Sequence, residues 1–370
     1  MNDSNGTNFE IDVNRLLEEF NNNDYVLIGI YIPVFLTALG ANLLFIIVIS
    51  KIRIKRTSNY FLLNLSTADL FVTLICMPNA MWRAYTTLYS FDRYSCKIIA
   101  YVECIAVATS ILTITAMAMH RYFAITKPLM GLLYPPFDKR GCLVNISGIW
   151  TISMVVFCPV LWVYDLEVEN IPLPDRNISV YLCLENWDDF FISRHVLGII
   201  WFTFIFLIPG LIMTFTYTTM GRTLCAINEL YDDSRYQAGN VIVKRRRVAY
   251  VLFLLAAIFA ICWLPIHVWM LVTDLKSVSS DDESTDKFTQ QKSRYLLLLG
   301  HWNSALNPLV YFTLSRKLRK SIQELFRRTT CEGQRETSKV TLIKLNTLNR
   351  NLPLQNSKST TQNTKKNEEI

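Results

Sequence analysis

Seven stretches of this chain are overwhelmingly apolar, near residues 26–50, 59–82, 98–125, 143–164, 196–219, 248–273 and 295–314, and polar segments separate them. As α-helices rising about 1.5 Å per residue, such runs cross the ~30 Å hydrocarbon layer of a bilayer. Core helices of a soluble domain would be shorter and amphipathic. The pattern predicts an all-α membrane protein, a seven-transmembrane helix bundle whose two termini lie on opposite sides of the membrane. The third run is the most informative. From Cys96 to Pro128 it reads CKIIAYVECIAVATSILTITAMAMHRYFAITKP. Cys96 to Arg121 would rise about 38 Å. A cysteine then sits at one boundary, a single acid, Glu103, two turns in, and His120-Arg121-Tyr122 at the other boundary.

Charge orients the bundle. The loops after the first, third and fifth runs carry Lys51, Arg53, Lys55 and Arg56, then Arg121, Lys127, Lys139 and Arg140, then Arg222, Arg235 and Lys244 to Arg247. Basic loops stay in the cytoplasm, so the N-terminus is expected outside. The outward segments carry 19 Asp or Glu against 10 Lys or Arg. The net charge of +7 is therefore a property of the inner face, and nucleic acid is not implied. Residues 1–24 lack the features of a signal peptide and read as an extracellular tail, with the first run as an uncleaved anchor. The bundle spans 25–314. Residues 315–328, SRKLRKSIQELFRR, place Leu318, Ile322, Leu325 and Phe326 on one face and predict an amphipathic helix on the inner leaflet. Residues 329–370, rich in Ser, Thr, Asn and Lys, read as a disordered cytoplasmic tail.

Asn2, Asn5 and Asn177 begin glycosylation sequons on the outer side, whereas those at Asn64 and Asn145 fall inside runs and are expected to be unused. Of nine cysteines, Cys96 and Cys183 lie in outer, oxidising territory, which leaves each the other as disulfide partner. Cys331 is a palmitoylation candidate or an idle thiol. Asp69 is a carboxylate near mid-membrane, too costly there to be expected without a role. Ser110, Asn303, Ser304 and Asn307 lie at comparable depth, and with Asp69 as the charge they compose an oxygen-lined candidate site for Na⁺. No other cofactor is expected.

Asn42, LSTAD at 65–69, Cys96, Arg121-Tyr122, Trp150, Pro209, Cys262-Trp263-Leu264-Pro265 and Asn307-Pro308-Leu309-Val310-Tyr311 follow one another run by run. This set resembles the rhodopsin-like class of G-protein-coupled receptors over residues 25 to about 328. The resemblance implies a plasma-membrane receptor, not an enzyme, that signals to a heterotrimeric G protein by helix rearrangement, with a receptor kinase and arrestin acting on the tail. It implies that Trp263 is an aromatic lever beneath the ligand, with Ile111, Pro209 and Phe259 packed around it. Tyr217 and Tyr311 would turn toward Arg121 on activation, with the kinks at Pro265 and Pro308 as the places where helices swing. One residue departs from the pattern: His120 stands where most of the family has Asp or Glu. An imidazole cannot neutralise Arg121, so raised basal signalling is expected unless other contacts compensate.

An unpaired carboxylate is expensive in lipid, so Glu103 pairs with His267 or His301 or awaits a cationic ligand. Trp201, Trp263 and Met270 are candidates for the cavity wall. Amine receptors of the class carry Asp at the position of Glu103 and usually a serine cluster on the fifth helix, which WFTFIFLIP lacks. Peptide receptors commonly carry a hairpin in the second outer loop. ISVYLCLENW, at 178–187, reads as such a strand after the turn PLPDRN, in a loop with seven acids and two arginines. CKIIAYVE also resembles the C-K-x-I-P-Y-L-Q run of orexin and allatotropin receptors, with Glu for Gln. A receptor for a basic neuropeptide, amidated ones among the candidates, is the reading preferred over an amine receptor. A transporter or channel would show internal repeats, Gly-broken helices or charged pore positions in several spans, whereas only two acids, Asp69 and Glu103, lie well inside spans and no repeat is visible.

Overall fold

The structure, a computed structural model, describes residues 20–51, 57–126, 139–172, 177–187, 190–231, 236–277 and 286–314, with short pieces at 319–320, 322–323 and 327. Lipid offers the backbone no partner, so each apolar run closes its hydrogen bonds internally as a helix. The first span is α1 (Tyr25–Lys51). The second is α2 (Thr57–Phe71), a π-turn at Val72–Cys76, and α3 (Met77–Tyr85). The third is α4 (Arg93–Thr126), and the fourth is α5 (Lys139–Phe157) followed by α6 (Val160–Val163). The fifth is α7 (Arg194–Phe202), a π-turn at Thr203–Leu207, and α8 (Ile208–Tyr231). The sixth is α9 (Tyr236–Ser277) and the seventh α10 (Asp286–Leu314).

Both π-turns have the same cause. Pro78 and Pro209 each stand two residues beyond a π-turn, and each ring would strike the carbonyl four residues earlier, at Leu74 and Ile205. Widening the turn there removes the clash and absorbs the missing N–H. Two helix starts are capped by acids: Asp24 Oδ1 accepts from the Leu27 N–H at 3.0 Å, and Asp92 Oδ1 from the Ser95 N–H at 3.2 Å.

Among the described residues, six helices are apolar and long enough by themselves to cross a membrane, and α10 is not one of them. The reason is its inward face: His301, Asn303, Ser304 and Asn307 are all buried against other helices rather than lipid. The third span lies among these polar contacts. Asn64 Nδ2 donates to Thr113 Oγ1 at 2.7 Å, and Trp150 Nε1 donates to Asn64 Oδ1 at 2.8 Å, joining the second, third and fourth spans. Asn42 Nδ2 reaches the Ser304 carbonyl at 2.9 Å, joining the first and seventh.

Between the fourth and fifth spans runs an antiparallel hairpin, β1 (Tyr164–Pro172) and β2 (Asn177–Glu185), in which Leu166 faces Cys183 and Tyr164 faces Glu185. The expected strand at 178–187 is present but ends at Glu185. The fourth span begins four residues before the expected 143 and ends one residue before the expected 164, at Val163, because Tyr164 is already extended and opens the hairpin. A disulfide joins Cys183 to Cys96, with Cα atoms 5.8 Å apart. Beside it Arg93 grips Asp165 through both Nε and Nη2, and Lys97 Nζ stands 3.6 Å from the same carboxylate.

The Arg93 hydrogen bonds hold the Asp165 carboxyl down at about 2, from the usual 3.8. A depressed pKa contributes stability that is complete above the unfolded value and is lost as pH falls through the folded one. The difference in thermal unfolding midpoint between the parent and Asp165→Asn should therefore be constant from pH 7 to 5 and shrink only below about pH 4. Arg93 is 63% exposed, so salt should reduce the difference too. A difference that varies between pH 7 and 5 would contradict this assignment.

The bundle lies in one compact unit, Met1–Leu318, and Arg319–Ile370 form a second. The expected helix at 315–328 falls mostly outside the described residues, as do Asn2, Asn5, Cys331 and the tail. Asn177 opens β2, opposite Pro172.

Candidate ligand pocket and signalling core

At the hairpin end, residues spaced three and four apart on α9 form one stripe: Trp263, His267, Met270 and Asp274. Trp263 packs against His267, with centroids 6.2 Å apart, and edge-on against His301 of α10 at 6.0 Å. His301 is fully buried between two partners. Its Nδ1 lies 3.1 Å from the Tyr31 hydroxyl, and its Nε2 lies 3.4 Å from Glu103 Oε1. The latter contact has ion-pair reach without hydrogen-bond alignment. Of the two partners expected for Glu103, the structure brings His301 within reach. Tyr31 escapes a reading of sequence because nothing local marks a tyrosine in the first span as the partner of a histidine in the seventh.

Gly300 explains how Trp263 comes so close to α10. A Cβ at Gly300 would lie 2.9 Å from the indole ring, inside contact distance. Trp263 is buried, so the ring cannot simply swing into solvent. Gly300→Ala should displace the indole, lower stability by about 1–3 kcal/mol, and change basal signalling. Thermal unfolding and agonist-free output at matched surface expression test this, and a variant identical to the parent in both would contradict it.

A second cluster closes the mouth. Glu185, at the end of β2, accepts from the Tyr164 hydroxyl at 2.7 Å and from Trp187 Nε1 at 3.1 Å. Arg194 Nη2 stands 3.5 Å from Glu185, and its Nε stands 2.8 Å from Asp274. One arginine thus bridges the hairpin, the fifth span and the sixth. The sequence held a signal for Glu185: it is two residues beyond Cys183, so both side chains leave the same face of the strand. Asp274 is legible as the continuation of the Trp263 stripe, three turns on.

One expected wall residue turns elsewhere. Trp201 stacks on Phe157 of α5, with centroids 5.4 Å apart, and donates to the Val156 carbonyl at 3.2 Å. Its indole is committed to packing the fifth span on the fourth, because a buried N–H takes the nearest carbonyl. Met270 is on the pocket stripe but 40% exposed, at the open end.

Below Trp263, Phe259 follows at 6.4 Å, and Ile111 and Pro209 are buried as well. Deeper still, Asn307 Nδ2 donates to both oxygens of the buried Asp69, at 3.0 and 3.3 Å. Ser110 Oγ, Asn303 Oδ1 and Asn307 Oδ1 are buried without a hydrogen-bond partner among the described residues. Toward the other end, the Tyr311 hydroxyl donates to Met117 Sδ at 3.9 Å. The Tyr217 hydroxyl is buried without a hydrogen-bond partner among the described residues, its ring edge-on to Phe253. His120 sits beside the ring of Phe61, 6.3 Å away, and Tyr122 beside that of Phe215, 5.7 Å away. Pro265 and Pro308 lie inside α9 and α10.

Seven spans, a hairpin pinned to the third, and a line of buried aromatic and polar contacts from mouth to far end define a membrane receptor. The chain matches the 7 transmembrane receptor (rhodopsin family) over residues 41–311 and belongs to that family, whose members are receptors and not enzymes. It is 27% identical over 301 residues to a QRFP-like peptide receptor of Branchiostoma floridae, covering 80% of this chain and 76% of that one. It is 29% identical over 316 residues to neuropeptide FF receptor 1 of Rattus norvegicus, covering 82% and 71%. To the substance-P receptor of Aquarana catesbeiana it is 28% identical over 299 residues, covering 80% and 69%.

Proposed function

We propose that this protein is a plasma-membrane receptor, N-terminus outside, for an extracellular basic neuropeptide, amidated ones among the candidates. Binding passes to a cytoplasmic heterotrimeric G protein by rearrangement of the bundle. The names of its relatives support a peptide. The observation that carries the basic character is the acidity of the mouth: Glu103, Glu185 and Asp274 converge on the pocket, and Arg194 answers two of them. A peptide cation entering there meets carboxylates already oriented by their partners, where charge complementarity is effective. Ligand contact falls to Glu103, His301, His267, Trp263 and Met270. Binding shifts the balance between two packings around Trp263, Phe259 and Ile111, and the ligand must favour one of them. Screening the expressed receptor with amidated neuropeptides and biogenic amines, read by calcium and cyclic AMP, tests the reading. Responses confined to amines would overturn it.

The remaining assignments follow from the same reading. An N-terminal tag should be accessible to antibody on intact cells. The segment 315–328 would lie on the inner leaflet, and receptor kinase and arrestin would act on the tail.

Asp69, Ser110, Asn303, Ser304 and Asn307 fit a site for Na⁺. One carboxylate with neutral oxygens suits a hard monovalent cation, and the unpartnered oxygens of Ser110, Asn303 and Asn307 are the support for it. If Na⁺ favours the resting packing, raising its concentration should lower agonist affinity in the parent, by linkage. The sodium effect should vanish in Asp69→Ala. An equal effect in that variant would place the site elsewhere.

A further inference from the structure

Outside the ligand path, the surface between the third and fifth spans carries an open apolar groove of about 510 Å³, lined by Met119, Tyr122 and Phe123 of α4 and Leu211, Ile212 and Phe215 of α8. Leu211 is 64% exposed and Phe215 61% exposed, so the groove opens away from the bundle, toward lipid. The stripe that forms its α8 wall continues to a cation. Arg222 is eleven residues beyond Leu211, which returns it to the same face after three turns, and it is exposed. It lies about 10 Å beyond Phe215 along the axis, past the groove toward the end that bears Arg121.

We propose that this groove binds one acyl chain of an anionic phospholipid of the cytoplasmic leaflet, with the phosphate against Arg222. The leaflet assignment rests on the orientation proposed above. An apolar groove facing the bilayer interior is filled by hydrocarbon chains, and the aromatic walls offer them more contact than a smooth helix face does. The cation at headgroup depth selects among the chains' owners, because the cytoplasmic leaflet is the one rich in anionic lipid. The floor of the groove has a role of its own. Tyr122 adjoins Arg121 in sequence and packs with Tyr217 against Ile125, Met220 and Leu224. A bound chain therefore touches the cluster that joins the third and fifth spans at the end where the G protein is proposed to bind.

The test uses the full-length receptor in nanodiscs of equal phosphatidylcholine and phosphatidylserine, released into the gas phase so that mass spectrometry counts the retained lipids. No agonist or G protein is needed, so a wrong ligand or coupling assignment leaves the result intact, and the tag experiment checks orientation separately. The parent should retain phosphatidylserine in preference to phosphatidylcholine. Arg222→Gln should reduce that preference about fivefold, the effect of one cation at an anionic surface. Leu211→Trp, which fills the groove, should reduce retention of both lipids, and Leu211→Phe serves if the larger plug does not fold. An unchanged preference in Arg222→Gln or unchanged retention in the Leu211 variants would each overturn the proposal.

Discussion

Glu103→Gln is expected to weaken binding of a basic peptide agonist by about 30- to 4000-fold. Removing one partner of a desolvated charge pair costs about 2–5 kcal/mol, and each 1.4 kcal/mol is tenfold. Glu103 is 22% exposed and already has His301 at 3.4 Å, so the effect should fall in the lower part of that range. Two consequences separate ligand contact from internal pairing. If the ligand's cation meets Glu103, an agonist analogue with that cation neutralised should bind the parent and the Gln variant about equally. If Glu103 serves only His301, then Glu103→Gln and His301→Asn should have matching effects on stability, and agonist affinity should be indifferent to the cation. Radioligand competition with the two analogues on the two receptors decides it.

Cys183→Ser should be as damaging in a different way, through loss of surface expression and of agonist potency. The disulfide closes a loop of 87 residues. In a random chain such closure contributes between about 4 and 5 kcal/mol, and helices that stay inserted when the hairpin detaches reduce this toward 2–4 kcal/mol. The functional loss adds to it, because Glu185 is two residues from Cys183 and the bond holds that carboxylate over the pocket near Arg194. Since the two thiols act as one unit, the double Ser variant should be no worse than either single variant. Additive losses, or normal expression and potency in both singles, would contradict this account.

The sequence by itself determined the number of spans, their order and the chemistry at each depth. A lipid environment leaves the backbone few choices, so a run of apolar residues is already a helix, and a polar residue within it must face inward. Asn42 and Asp69 are legible on that ground alone, and so is the polar face of α10. The disulfide was legible because only two cysteines lie in outer segments. The strand at 178–187 was legible from composition, but its partner was not: Tyr164 belongs to an apolar run that ends only because the backbone becomes extended directly after Val163.

Tertiary structure decided which distant residues meet. His301, rather than His267, comes within reach of Glu103, because the position of α10 relative to α4 is set by its packing on the first, second and sixth spans. Trp201 turns to the fourth span because the Val156 carbonyl is there to accept its N–H. Gly300 reads as a neutral residue in sequence and becomes meaningful only when the Trp263 ring lies where its side chain would be. Arg194 joins Glu185 to Asp274, 89 residues apart in the chain, across three elements whose proximity no local pattern records. Spans and depths follow from each segment's own free energy in lipid, whereas these contacts depend on how segments pack against one another, and that is a property of the assembled bundle.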